Sequence, residues 1–256
     1  MSSPGPHATT LLPVMHFDQD RATGVTRIKG PITGRGFHTF PPEKEFTLPV
    51  ITSWHGATTP IEQTIQLLNP AGEAIAQQTD YLEPSHWGYI LNIVPFQIWP
   101  SVSGIHTIEL LVGNQVQLRR PVGFFSSEST ARARLPHNPQ LTAFVVCQSV
   151  SVTGNEEETE LHEVVGKAGH SKTKPLGIFA EWSYATRSFT AYFQLLDPDG
   201  NQIGAQGSPI IVARRSTIAA SVTINTTNFT FDQTGLYQLR VTYQQQTLAY
   251  PLLITD

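Results

Sequence analysis

The sequence holds one cysteine, Cys147, among 256 residues. A lone cysteine closes no internal disulfide, so a stapled secreted scaffold is excluded. Charge is scarce as well. Asp, Glu, Lys and Arg make up 14% of the chain, against roughly 25% in ordinary soluble domains. Lys and Arg number 16 and Asp and Glu 20, for a net charge of -4. Without a basic surplus the main driving term for phosphate-backbone binding is missing, and no nucleic-acid partner is expected. No apolar run approaches the roughly 18 residues that would cross a membrane as a helix. The opening "MSSPGPHATT" has neither a basic stretch nor an apolar one, so it does not read as a secretory leader. The expectation is a soluble, cytoplasmic protein with no membrane partner. On that expectation the glycosylation-like triplets at Asn225 and Asn228 are chance. Helical patterning is also lacking: no segment sustains three turns of apolar stripe, and "ARARLPH" is stopped by Pro136. No G-x-S-x-G nucleophile turn occurs.

What is present is a repeat. "SWHGATTPIEQTIQLLNPAGEAIAQ" from Ser53 aligns with "EWSYATRSFTAYFQLLDPDGNQIGAQ" from Glu181 at a constant offset of 128. Trp54 falls on Trp182, Pro70 on Pro198, Gly72 on Gly200 and Ile75 on Ile203. Further on, "SGIHTIELLVGNQVQLRRPV" from Ser103 aligns with "TGLYQLRVTYQQQTLAYPLL" from Thr234. Trp, Pro and Gly at matched spacing mark a duplicated domain. The segment 126–140, "SSESTARARLPHNPQ", is polar and aperiodic and reads as a linker. The division expected is a disordered tail at 1–10, a first domain at 11–125, the linker, and a second domain at 141–256. Each domain is expected to carry its own core and to fold alone.

Within each repeat the apolar period is two. "HTIELLV" sets Ile108, Leu110 and Val112 on one face, and "YQLRVTY" does the same with Tyr237, Leu239, Val241 and Tyr243. β-Branched and aromatic residues dominate these runs. "NPAG" and "DPDG" read as turns, with proline supplying φ near -65° and glycine a positive φ. The fold class that follows is all-β: two tandem Ig-like antiparallel β-sandwiches.

Several stretches imitate functional motifs. "GKAGHSKT" from Gly166 departs from a phosphate-binding loop only in Ser171 standing for the second glycine. Pro175 then forbids the helix that such a loop needs after Lys172 and Thr173, so the stretch reads as a surface connection. "DPDGN" from Asp197 begins like a calcium loop, but Gly200 comes fourth rather than sixth and Ser208 stands where a bidentate Glu is required. "NEEETELHE", from Asn155 to Glu163, masses five carboxylates around His162; it reads as a solvated hairpin whose charge protects an exposed edge. His16, Asp18 and Asp20 alternate along a strand end without a fourth ligand at metal spacing. Cys147, within "TAFVVCQSVSV", reads as a small buried hydrophobe. No cofactor, metal or catalytic residue is assigned.

Trp54 and Trp182, shared by both copies, read as core. Trp87, Tyr89, Phe96 and Trp99 crowd one region of the first half and form the candidate interface. The second half resembles a family of uncharacterised bacterial β-sandwich domains through "AFVVCQSVSV", "GIFAEW", "QLLDPDG", "TGLYQLRV" and "AYPLLI". The first half resembles it less closely, with His106 where that pattern has Tyr. This resemblance implies a sandwich and no reaction. The functional expectation is a non-enzymatic binding or assembly module that contacts a protein partner or forms a homo-oligomer. The alternative is a small-ligand, carbohydrate or metal site, binding or enzymatic, in the cleft between the domains.

Overall fold

A computed structural model describes residues 6–20, 25–84, 89–126, 137–153, 158–164, 167–169, 176–207, 210–211, 219–225 and 231–255. Among them are nineteen strands and no helix. The first half supplies β1 (His7–Asp20), β2 (Val25–Pro31), β3 (Gly34–Phe37), β4 (Phe46–His55), β5 (Ile61–Leu68), β6 (Ala74–Leu82), β7 (Tyr89–Ile98), β8 (Gly104–Val112) and β9 (Gln115–Ser126). The second supplies β10 (Gln140–Thr153), β11 (Glu158–Val164), β12 (Lys167–Gly169), β13 (Gly177–Ser183), β14 (Phe189–Leu196), β15 (Gln202–Gly207), β16 (Ile210–Ile211), β17 (Ala219–Asn225), β18 (Gly235–Tyr243) and β19 (Gln246–Thr255).

Two Ig-like sandwiches result. In the first, β7, β4 and β1 cover the sheet β3-β9-β8-β5-β6. In the second, β17, β13 and β10 cover β12-β19-β18-β14-β15. Period-two alternation builds each core. Leu48, Val50 and Trp54 of β4 enter the first, beside Ile65, Ile108 and Phe124. Ile178, Ala180 and Trp182 of β13 enter the second, beside Phe193, Leu239 and Tyr250. The first and last strands of each facing sheet repeat the same unusual arrangement: β3 runs parallel to β9, and β12 runs parallel to β19.

The turns explain the matched Pro and Gly. Gly72 and Gly200 sit at φ 86° and 88°, where a side chain would be strained. Gly104 and Gly235 do a second job. A Cβ on Gly104 would lie 3.0 Å from the Pro70 ring, and one on Gly235 would lie 2.8 Å from the Pro198 ring. Each turn proline therefore packs onto a glycine of the neighbouring strand. In the second half Tyr237 Oη donates to the Gln233 carbonyl at 3.0 Å, the tyrosine corner of Ig-like domains. His106 replaces it in the first half, buried against Phe124 with Nδ1 3.2 Å from the Gly104 carbonyl.

The sandwiches are joined through one eight-stranded sheet, β17-β13-β10-β11-β2-β1-β4-β7. β1 pairs with β4 over its first half and with β2 over its second. β10 does likewise with β13 and β11. β2 then pairs with β11, and β1 touches β10 at Thr10↔Ala143, so β1, β2, β11 and β10 close into a ring. Equivalent positions on these strands lie 133 apart, 10 with 143 and 27 with 160, and both Thr10↔Ala143 and Arg27↔Glu160 are paired. An internal pseudo-two-fold axis passes through these two pairs. The faces turned away from the sandwich cores meet in a third core. It contains Leu12, Val14 and Ile28 from one half and Val145, Cys147 and Leu161 from the other.

Two sequence-based expectations change. Residues 7–10, read as part of a disordered tail, begin β1, because their hydroxyls are satisfied inside. Thr9 Oγ1 meets Ser53 Oγ at 2.8 Å, and Thr10 Oγ1 donates to the Phe144 carbonyl at 3.2 Å. The acidic strand β11 is not an exposed edge, since β2 lies beside it. Most of the linker, 127–136, lies outside the described residues.

Candidate functional site

Buried polar chemistry collects at the joint between the halves. Arg120, fully buried in β9, reaches across to Glu181 of β13, which is 2% exposed. Its Nη2 also donates to the Ile32 carbonyl at 3.4 Å. Burial raises the Glu181 carboxyl above the ordinary carboxylate range, and the adjacent guanidinium opposes that rise. The sequence carried a signal for this residue: Glu181 interrupts an apolar strand at the position where the first repeat has Ser53. His55 lies at the same joint, hydrogen-bonded to the Pro251 backbone and edge-on to Tyr250 at 6.3 Å. Burial, aided by the nearby His7, lowers its pKa to about 3 and keeps it neutral. Tyr250 in turn stacks on Phe144 at 4.0 Å. These groups are held by packing and by one another. No nucleophile and base stand together among them.

The ring brings two separate sequence candidates onto one sheet. His16, Asp18 and Asp20 of β1 stand opposite Lys29, Arg27 and Val25 of β2. Lys29, Arg27 and Val25 stand in turn opposite Glu158, Glu160 and His162 of β11. A basic strand therefore separates the two acidic ones. The Asp18 carboxylate lies 3.6 Å from Arg27, so it is already neutralised by a cation. No metal-holding group of His, Cys, Asp or Glu occurs among the described residues. Asp197 likewise spends its oxygens on its own turn. Oδ2 accepts the Asn201 side-chain amide at 3.0 Å and Oδ1 accepts the Asp199 and Asn201 backbone amides at 3.0 and 2.7 Å; this bonding, the side-chain bond foremost, holds its pKa low. Cys147 is buried in the third core, with Sγ 3.2 Å from the Ser149 carbonyl. Ser171, Lys172 and Thr173 of the phosphate-loop imitation lie outside the described residues.

The four aromatic residues of the candidate interface separate. Trp87 lies outside the described residues. Tyr89 and Ile98 are the two ends of β7, opposite His55 and Phe46 respectively. At about 3.3 Å per residue, Tyr89 and Trp99 stand roughly 30 Å apart. Phe96 is 1% exposed and belongs to the first core, so it offers no surface. Trp99 is 47% exposed. Its Nε1 donates to the Pro42 carbonyl at 2.8 Å, which fixes the indole. Near the same end of β4, Arg35 covers the Phe46 ring at 4.6 Å and the Phe37 ring at 5.3 Å. Phe37 also meets Phe40 and Phe124. Arg35 and Phe37 belong to β3, which comes to this end of the sandwich through its parallel pairing with β9 and not through closeness in sequence to Trp99.

No protein-family model matches the chain, and no curated protein matches it. Solved structures match at low identity. Latent PorU from Porphyromonas gingivalis is 11% identical with a TM-score of 0.32, over 100% of this chain and 20% of that one. Red sea bream transglutaminase is 12% identical with a TM-score of 0.23, over 95% and 32%. The complex of Dpr2 Ig1-Ig2 with DIP-Theta Ig1-Ig3 is 12% identical with a TM-score of 0.22, over 95% and 65%. The chain thus spans between a fifth and two thirds of these proteins.

Proposed function

We propose that the chain is a non-enzymatic assembly module: a rigid pair of Ig-like sandwiches that associates with a second copy of itself or with another protein. One observation carries the reading. The space between the halves, where a ligand or active site would sit, is filled by the third core and bridged by the Arg120–Glu181 pair. A ligand there would have to displace close-packed apolar side chains and separate a buried ion pair, which is costly. Charged residues are sparse in the chain, and Trp99 presents a fixed, half-exposed indole. Such a surface is preorganised for contact rather than for proton transfer.

Sedimentation velocity on the intact chain from about 1 to 100 μM tests this, a range that covers weak to moderate self-affinities. The reading expects a concentration-dependent shift from monomer to dimer. A sedimentation coefficient that stays at the monomer value throughout removes self-association.

A further inference from the structure

Each of the three sheets ends in two edge strands, and a bare edge invites another strand to pair with it. Among the described residues, five of the six strands that end these sheet paths are guarded. β3 and β12 are four and three residues long. β7 carries Pro95, which has no amide to donate. β6 places Gln78 and Asp80 opposite the buried residues Ile65 and Gln63, so polar groups line its core-facing side. β15 is interrupted by a register shift against β14, with Gly204 at φ 68°. β17 has none of these devices. It is seven residues long, "AASVTIN", without charge, proline or glycine. It pairs with β13 from Ser183↔Ala219 to Gly177↔Asn225 with no register shift. Among the described residues β13 is its only strand partner in the sheet.

We propose that β17 is the edge through which two copies of this chain join, antiparallel about a dyad at Val222. The inference rests on the self-association reading above and gives it a location. The strand is complementary to itself in that register. Val222 meets Val222, Ser221 meets Thr223, Ala220 meets Ile224 and Ala219 meets Asn225. Cross-strand β-branched pairs and Ser–Thr pairs are favourable, and no like charges oppose one another. Nothing in the strand selects a charged partner, whereas its own sequence sets a β-branched pair at the dyad, flanked by two Ser–Thr pairs. The two eight-stranded sheets would then run on as one.

The test begins with sedimentation of the wild type and adds two probes. A synthetic peptide of residues 219–225, in large excess, is expected to compete for the edge and return the dimer to monomer. In a Cys147→Ser background, which removes the native thiol, Val222→Cys is expected to give a covalent dimer on mild oxidation. Antiparallel neighbours lie about 4.5–5.5 Å apart at Cα, within disulfide range. Tyr81→Cys on β6, in the same background, is expected to stay uncrosslinked. A wild-type dimer that ignores the peptide, with no crosslink through Val222→Cys or an equal one through Tyr81→Cys, overturns the β17 assignment and leaves self-association standing. A wild type that remains monomeric removes both. If Val222→Cys fails to fold, the peptide experiment on the wild type decides alone.

Discussion

Glu181→Ala is the substitution that most directly tests how the halves are held. In the native protein Arg120 and Glu181 are both withdrawn from water, one in each half, and each is the other's charge partner. Removing the carboxylate leaves a guanidinium with no countercharge in a site it cannot leave without opening the joint. Breaking a buried pair in this way costs about 3–5 kcal/mol. The same reasoning gives a contrasting result for the double replacement Arg120→Met, Glu181→Leu. Both desolvation penalties disappear together, and apolar pairs of similar volume are often neutral or stabilising in such sites. Urea unfolding followed by fluorescence and far-UV circular dichroism reads both variants. The expected outcome is a large fall in midpoint for Glu181→Ala and recovery of most of it in the double variant, with m unchanged. A Glu181→Ala unfolding free energy within about 0.5 kcal/mol of wild type would refute the argument, because that is the scale of an ordinary surface substitution.

Three other outcomes are expected. Trp54→Phe should cost more than Trp182→Phe by roughly 0.5–1.5 kcal/mol in the same assay, since only the first removes a buried hydrogen bond, Gln63 Oε1 keeping Thr52 Oγ1 as its other donor. Trp54 Nε1 donates to Gln63 Oε1 at 2.9 Å, whereas Ala191 occupies the Gln63 position of the second repeat and Trp182 Nε1 has no partner among the described residues. Stability should fall as pH drops from 6.5 towards 3, because His55 is held at a pKa of about 3 in the folded chain. The unfolded state takes up the proton first, so the contribution is complete above pH 6.5. It amounts to roughly 3–5 kcal/mol when fully lost. Melting curves across that range check it, and His55→Gln should flatten the dependence; an unchanged slope would remove His55 as the cause. Gly104→Ala and Gly235→Ala should each destabilise by about 1–3 kcal/mol in thermal melts, since each sets a Cβ against a turn proline at positive φ. A neutral result at either position would break the structural equivalence of the repeats.

The sandwiches were legible in the sequence because their signals are local. Alternation in "HTIELLV" and "YQLRVTY" gave strands, and the Pro and Gly shared at an offset of 128 gave the turns and the duplication. Trp54 and Trp182 both lie in cores, as that duplication implies. The joint was not legible because its signals are distant and polar. Thr9 and Thr10 look like tail residues until Ser53 and Phe144 are beside them. Arg120 in "LRRP" looks like a solvent-facing charge until Glu181 meets it. The acidic run around Glu160 made sense alone as an edge guard. Its complement, Arg27 and Lys29, lies more than a hundred residues away, and only the ring closure sets the two strands side by side. The four candidate interface residues do not form one patch, for a geometric reason. Residues close in sequence on an extended strand are far apart in space, so Trp99 parts from Tyr89, and alternation carries Phe96 inward.

Native-state hydrogen exchange of β2 and β11 in the intact chain bears most directly on the central claim that the ring makes one body of two sandwiches. If it does, amides such as those of Ile28 and Leu161 should exchange only through global unfolding, at the same free energy as the amides of β4 and β13. Exchange of β2 and β11 at a markedly lower free energy, with β4 and β13 opening separately, would contradict it and leave two modules merely in contact.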